Sequence, residues 1–192
     1  MRAADHAGRE DDDATVVVLD HMAAAVGTMD KLAAHGRPAT PHLAFSVVLF
    51  DAAGSTLLQR RAATKYHFGR RWSNTCCSHP RPGEPVRAAA RRRVAEELNL
   101  DCGDLEVRGG FWYHAEDPHS GLAEHEYDVV LVGRVDGPAA PDPREVSEVA
   151  LHPPRRVLAD AAADPDAYTP WLPMVLEVAL GPARPVAVDV PL

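Results

Sequence analysis

Apolar positions along this chain gather into short, β-branched runs separated by turn residues, and one mid-chain stretch has helical spacing instead. The run Thr15 to Leu19 (TVVVL) predicts a first strand, followed by a turn or short helix through Gly27 and Lys31. From His42, HLAFSVVLFD predicts a second strand. The turn signal Asp51-Ala-Ala-Gly54 makes STLLQRRA its antiparallel hairpin partner. A polar, aromatic-containing loop over 64–72 leads to NTCCSHP, and Pro82-Gly83-Glu84-Pro85 opens a helix. That helix is expected over Val86 to Leu98, with Asn99 as its C-terminal cap. Three more strand-like segments follow, LEVRGGFWYHA, EYDVVLVGRV and VSEVALHP, with a Pro-rich surface connection from Gly137 to Pro143 between the last two. Two helices are expected over Val157 to Ala163 and Trp171 to Ala179. This order predicts an α/β (α+β) fold, a mixed β-sheet sandwiched between α-helices. Residues 1–14, acidic around Asp11, Asp12 and Asp13, read as a disordered tail, and 181–192 as a loose Pro-rich tail, leaving 15–180 as one domain.

Composition narrows the function. With 192 residues, 46% hydrophobic and 25% charged, the chain can bury a core without disulfides or structural metals. The formal charge of -8 argues against broad nucleic-acid binding, which needs a basic face, but leaves room for a small phosphorylated ligand. No stretch of about 18 apolar residues is present, and the first residues lack a secretory pattern, so a cytoplasmic protein without a membrane partner is expected. Cys76, Cys77 and Cys102 are odd in number and two are adjacent, which disfavours a disulfide framework. A working thiol is admissible, and so is the commoner fate of a small buried filler.

Within the central helix Arg92 and Glu96 are four apart, as are Arg93 and Glu97, so each pair meets on one face. Carboxylates there can hold magnesium, which in turn clamps a diphosphate. An ordinary solvated helix carries the same kind of pairs. The segment GEPVRAAARRRVAEELNL resembles the Nudix box, G-x5-E-x7-R-E-U-x-E-E-x-G-U with U aliphatic. Glu84, Arg92, Val94, Glu96, Glu97 and Leu100 fall in register, whereas Ser78, Arg93 and Asn99 stand where the pattern has Gly, Glu and Gly. Arg93 replaces a glutamate that Nudix hydrolases use to gather catalytic metals. That weakens a hydrolase reading and leaves Glu97 as the expected magnesium contact.

A wider set of segments, GTMDKLAAH, HLAFSVVLFD, RRAATK, WSNTCCSHP, GFWYHAEDP, EHEYD and TPWLPMV, resembles the metal-dependent (type I) isopentenyl-diphosphate isomerases of the Nudix superfamily in order and spacing, from about Gly27 to Trp171. The resemblance implies a Nudix fold and a small prenyl diphosphate as substrate. It implies one divalent ion, manganese, magnesium or zinc, held by His35, His42, His79, Glu124 and Glu126, a donor set that suits such ions. Glu124 and Glu126, two apart, share one face of an extended segment. The implied proton-transfer groups are Cys77 and Glu126, with Tyr113 beside the glutamate and Trp171 facing the cation; the motif N-x-x-C-x-H-P selects Cys77 over Cys76. Lys31, Arg61, Lys65 and Arg93 match positions that contact the diphosphate. His6, His67, His119, His125 and His152 are expected to be ordinary surface or core residues. A monomer or weak homodimer is expected. The rivals are a Nudix hydrolase of a nucleoside diphosphate derivative, an enzyme of other prenyl-diphosphate carbocation chemistry such as cyclisation, and a binding protein on an inactive scaffold.

Overall fold

The computed structural model describes residues 14–188, 190 and 191. His6 and all of the expected acidic tail except Ala14 lie outside the described residues. The elements run β1 (Thr15–Leu19), β2 (Ala25–Asp30), α1 (Lys31–Ala34), β3 (His42–Phe50), β4 (Thr56–Arg61), β5 (Trp72–Ser73), β6 (Cys76–Ser78), α2 (Val86–Leu98), β7 (Glu106–Glu116), β8 (Ala123–Arg134), β9 (Val146–His152), α3 (Pro154–Ala163), a 3-10 turn (Pro165–Ala167) and α4 (Leu172–Leu180). No helix among the described residues is long and apolar enough to cross a membrane.

The strands form one mixed sheet with β3 at its centre. β3 pairs in parallel with β8 from His42↔Glu126 through Phe50↔Arg134, and β7 runs antiparallel along the other edge of β8. Side chains along β3 alternate between two faces as the pleat requires, and both faces are buried. Leu43, Phe45, Val47 and Leu49 pack with Val86, Ala89, Ala90, Val94 and Leu98 of α2, while Val48 faces α3 and α4 through Val157, Leu172, Val175 and Leu176. A strand buried on both faces reads as a continuous apolar run, which is what SVVLF shows. The sheet therefore lies between helices, as expected.

Three local expectations change. The β3–β4 hairpin closes at its turn, where Asp51 Oδ1 accepts from Ala53 and Ser55 N, yet the strands pair only at Phe50↔Thr56. Beyond that point Thr75 is wedged between them: its Oγ1 accepts from Leu49 N at 2.9 Å and donates to Leu57 O at 2.6 Å. β3 then pairs with β6, and β4 with β9 and β5. Residues 25–30, read as part of a turn or short helix, instead form β2 along β1, and the helical piece shrinks to α1. The C-terminal segment is not loose. Arg184 N donates to Arg108 O, Ala187 N to the Tyr127 hydroxyl and Val86 N to Pro191 O, while Val188 enters the core with Val186 and Val190 packed beside it.

Candidate metal and proton-transfer site

The sheet register assembles the site. On β8, Glu124, Glu126 and Asp128 alternate onto one face; the parallel partner strand sets His42 beside Glu126 and Ala44 beside Asp128. Across the other edge, β7 sets Tyr113 against Glu126. β6 places Cys77 opposite Ser46 and leads into His79, and His35 caps the C-terminus of α1.

Two of the three histidines are oriented by their own backbone surroundings. Nδ1 of His35 lies 2.6 Å from Lys31 O, and Nδ1 of His42 lies 2.7 Å from Thr40 O, so each gives a ring hydrogen to a carbonyl and turns Nε2 inward. The Nε2 atoms of His79, His42 and His35 lie 2.8, 3.2 and 3.8 Å from Glu126 Oε1. Nε2 of His35 is also 2.9 Å from Glu124 Oε2, and both of those buried atoms lack a hydrogen bond. The ligand atoms of His35, His42, His79 and Glu126 all fall within 4.8 Å of one another. Imidazole nitrogens and carboxylate oxygens converging in a buried space call for shared protons or a cation, and imidazole with carboxylate is the donor set of a divalent first-row metal or magnesium. Four of the five sequence-expected ligand residues form this group, and Glu124 adjoins it through His35, in a second cluster with His67. Among the protein groups alone the few protons are shared unevenly. Burial disfavours a charged His35, but Glu124 and Glu126 outweigh it and raise its pKa to about 10; burial drives His79 down to about 3 despite Glu126.

The expected proton-transfer groups stand around a cavity of about 40 Å³, room for a few waters, whose lining includes Cys77, Glu126, Tyr113 and Trp171. The Tyr113 hydroxyl donates to Glu126 Oε2. Burial pushes the Cys77 thiol up to about 11, against the pull of Arg61, and Ser73 Oγ lies 3.7 Å from its sulfur. Cys76 faces the other way, fully buried in the apolar core, as alternation along the strand predicts. Asn74 ties this wall together: its Oδ1 accepts from Trp171 Nε1 and Ser73 Oγ, and its Nδ2 donates to Val47 O and Cys76 O. The indole is thereby fixed with its ring centroid 6.0 Å from that of Tyr113 and the Arg61 guanidinium 5.7 Å away.

Lys31, Arg61, Lys65 and Arg93 also line the cavity, so the expected diphosphate contacts converge. Two of them share an anion that sequence reasoning overlooked. Glu145 contacts Lys65 and lies 3.5 Å from Arg93; despite burial these cations, Lys65 foremost, hold its carboxyl down to about 2. Glu97 is not in the cavity lining: its carboxylate accepts from Arg93 at 2.6 Å and from Gln59 at 3.2 Å. Asp128, in the wall and bonded to Ser46 Oγ at 2.7 Å, was legible as the third member of the Glu124, Glu126 alternation. His67 is the larger omission. Read as ordinary, it is buried in the site with Nε2 2.5 Å from Glu124 Oε1. His119 and His152 are exposed and His125 is half-buried, in keeping with ordinary roles.

The NUDIX domain family matches residues 40–172. The chain is 51% identical over 164 residues to the isopentenyl-diphosphate Delta-isomerase of Nocardia farcinica, covering 85% of this chain and 93% of that protein. It belongs to the isopentenyl-diphosphate Delta-isomerase family. Other members include the proteins of that name from Halorhodospira halophila, 49% identical over 84% of this chain and 93% of that one, and Streptomyces avermitilis, 43% identical over 84% and 81%. The fold of this family member is shared more widely. A Deinococcus radiodurans structure, DR0079, superposes with a TM-score of 0.71 at 18% identity over 87% of this chain and 99% of that one. A MutT NUDIX hydrolase from Burkholderia pseudomallei gives 0.55 at 19% identity over 71% and 96%.

Proposed function

We propose that this isomerase-family chain interconverts isopentenyl diphosphate and dimethylallyl diphosphate by adding one proton to the alkene and removing another from the neighbouring allylic carbon. The observation that carries this reading is the placement of a thiol, Cys77, and a carboxyl with its phenol, Glu126 and Tyr113, in the lining of one cavity that also holds Trp171 and four cationic side chains. Isomerisation needs two proton-transfer groups, and a tertiary carbocation between the two transfers needs a water-poor wall that tolerates charge. The Trp171 face suits it: an indole stabilises a desolvated cation by about 2 kcal/mol. Glu126 with Tyr113 stands on the protonating side and Cys77 on the deprotonating side. Lys31, Arg61, Lys65 and Arg93 hold the diphosphate, and Glu145 yields Lys65 and Arg93 to it.

A divalent ion, manganese, magnesium or zinc, fits His35, His42, His79, Glu124 and Glu126 and would supply positive charge beside Glu126, while magnesium carried by the diphosphate would reach Glu97 only with Arg93 turned away from its carboxylate. The remaining work belongs to the chain. The carbonyls of Lys31 and Thr40 orient the two imidazoles, Tyr113 holds a proton at Glu126 Oε2, and Asn74 keeps the indole in place.

Incubating the chain with isopentenyl diphosphate, magnesium and manganese in heavy water, followed by NMR, tests the reading. Dimethylallyl diphosphate carrying deuterium is expected. Phosphate release without an isomer signal would instead establish hydrolysis.

A further inference from the structure

His67 lies in the loop between β4 and β5, outside the five residues proposed to hold the ion, yet it is 7% exposed. Glu124 is gripped from two directions. Its Oε2 faces His35 Nε2 at 2.9 Å, on the side of the converging imidazoles, while its Oε1 faces His67 Nε2 at 2.5 Å. The His67 ring has little freedom. It lies against Tyr66 with centroids 4.2 Å apart and against Phe68 at 5.5 Å, and the loop is tied down where Arg61 Nη2 donates to His67 O at 3.1 Å and Phe68 N donates to Asp117 Oδ2 at 2.9 Å. Its ligand nitrogen falls outside the four-donor group of His35, His42, His79 and Glu126 and joins only His35 and Glu124.

A carboxylate that binds an ion through one oxygen rotates or becomes bidentate unless the other oxygen is held. Outer partners of this kind change metal affinity by about 10–100-fold when removed. We propose that His67 is a positioning residue: it donates from Nε2 to the outer oxygen of Glu124, so that Glu124 offers Oε2 alone to the ion. The inference rests on the metal site proposed above. It adds a sixth residue to that site and couples it to the loop carrying Lys65, because the ring that fixes Glu124 is two residues from a cation proposed to hold the diphosphate.

The test uses the full chain stripped of metal and titrated with Co²⁺ in competition with a chelator, with visible absorption recorded at saturation. His67→Phe keeps a ring of similar shape but no donor, and His67→Gln keeps a donor. The expected result is a Co²⁺ affinity lowered by about 10–100-fold in the phenylalanine variant, an affinity within about threefold of the parent in the glutamine variant, and one bound Co²⁺ with unshifted absorption bands in both. Parent-like affinity with phenylalanine, equal loss with both variants, bands showing the loss of a nitrogen ligand, or two Co²⁺ per parent chain would each overturn the assignment. Should the phenylalanine variant fail to fold by circular dichroism, His67→Leu takes its place. Failure of the isomerase reading would appear separately, as a parent chain that binds Co²⁺ and does not convert isopentenyl diphosphate.

Discussion

Replacing Asn74 by aspartate exchanges one NH₂ for an oxygen and leaves the side-chain shape intact, so its effect isolates hydrogen bonding. Asn74 is fully buried, accepts from Trp171 Nε1 at 3.2 Å and Ser73 Oγ at 3.1 Å, and donates to Val47 O at 3.2 Å and Cys76 O at 2.8 Å. Asn74→Asp keeps the acceptor and turns the donor into an atom facing two carbonyls. An unsatisfied buried polar group costs about 1–3 kcal/mol. Two orphaned carbonyls, or one plus the cost of protonating the new acid, give a loss of about 3–5 kcal/mol. At a urea slope of about 2 kcal/mol/M the unfolding midpoint should fall by about 1.5–2.5 M. The sign with pH follows from linkage. Burial raises the folded pKa of the introduced acid above its unfolded value of about 3.9, so the protonated form is the better tolerated one. The deficit relative to the parent is therefore smallest near pH 4 and grows as pH rises through the folded pKa. Urea unfolding of both proteins from pH 4 to 8 provides the measurement. A midpoint within 0.5 M of the parent at pH 7 (about 1 kcal/mol by the same slope), or a deficit that shrinks with rising pH, would refute the role given to Asn74.

Cys77→Ala should lower the isomerisation rate by about 10²–10⁴-fold, the range for loss of one proton-transfer group, with little change in urea midpoint; retained turnover in the NMR assay would remove Cys77 from the mechanism. Glu145 titrates at about 2 in the folded chain and near 4.3 when unfolded, so its contribution to stability is complete above pH 4.3 and is lost as pH falls toward 2. The urea midpoint of Glu145→Gln should accordingly lie below the parent's at pH 7, with the gap narrowing below about pH 4 and closing only near pH 2. Gly110→Ala would set a Cβ 2.8 Å from the Tyr127 ring, an overpacking that costs about 1–3 kcal/mol and is read from thermal unfolding. Restoring manganese or zinc to chelated protein at a hundredfold excess over Kd should stabilise it by about 2.7 kcal/mol, a rise in Tm of about 5–11 °C that His42→Ala abolishes.

Elements whose signal is local were legible in the sequence. The caps and helix formers of Val86 to Leu98 place α2 to the residue, with Asn99 in the left-handed conformation at its end, and the β-branched runs place β1, β3, β8 and β9. Pairing was not legible, because it depends on partners far along the chain: the Asp51 to Gly54 turn is real, but a single threonine from residue 75 decides that β3 and β4 separate. Prolines at 182, 185 and 191 concealed a period of two in Val186, Val188 and Val190 that packs the final segment down. In the site, the resemblance pointed to residues that the structure brings together, and the structure adds what holds them. Asp128 was visible in the alternation. No spacing rule reaches His67, whose position depends on how a loop folds back over β8, and Glu145 became visible only through the two cations that converge on it.

The parallel pairing of His42 with Glu126 joins residues 84 positions apart (126 − 42), so the candidate metal donors come together only when distant parts of the chain have found one another. Slippage of β8 by a single residue would turn Glu124, Glu126 and Asp128 to the opposite face together. An ion held by these residues would thus act as a checkpoint on strand order: a nascent or refolding molecule would become competent to retain it only once this long-range parallel pairing is correct.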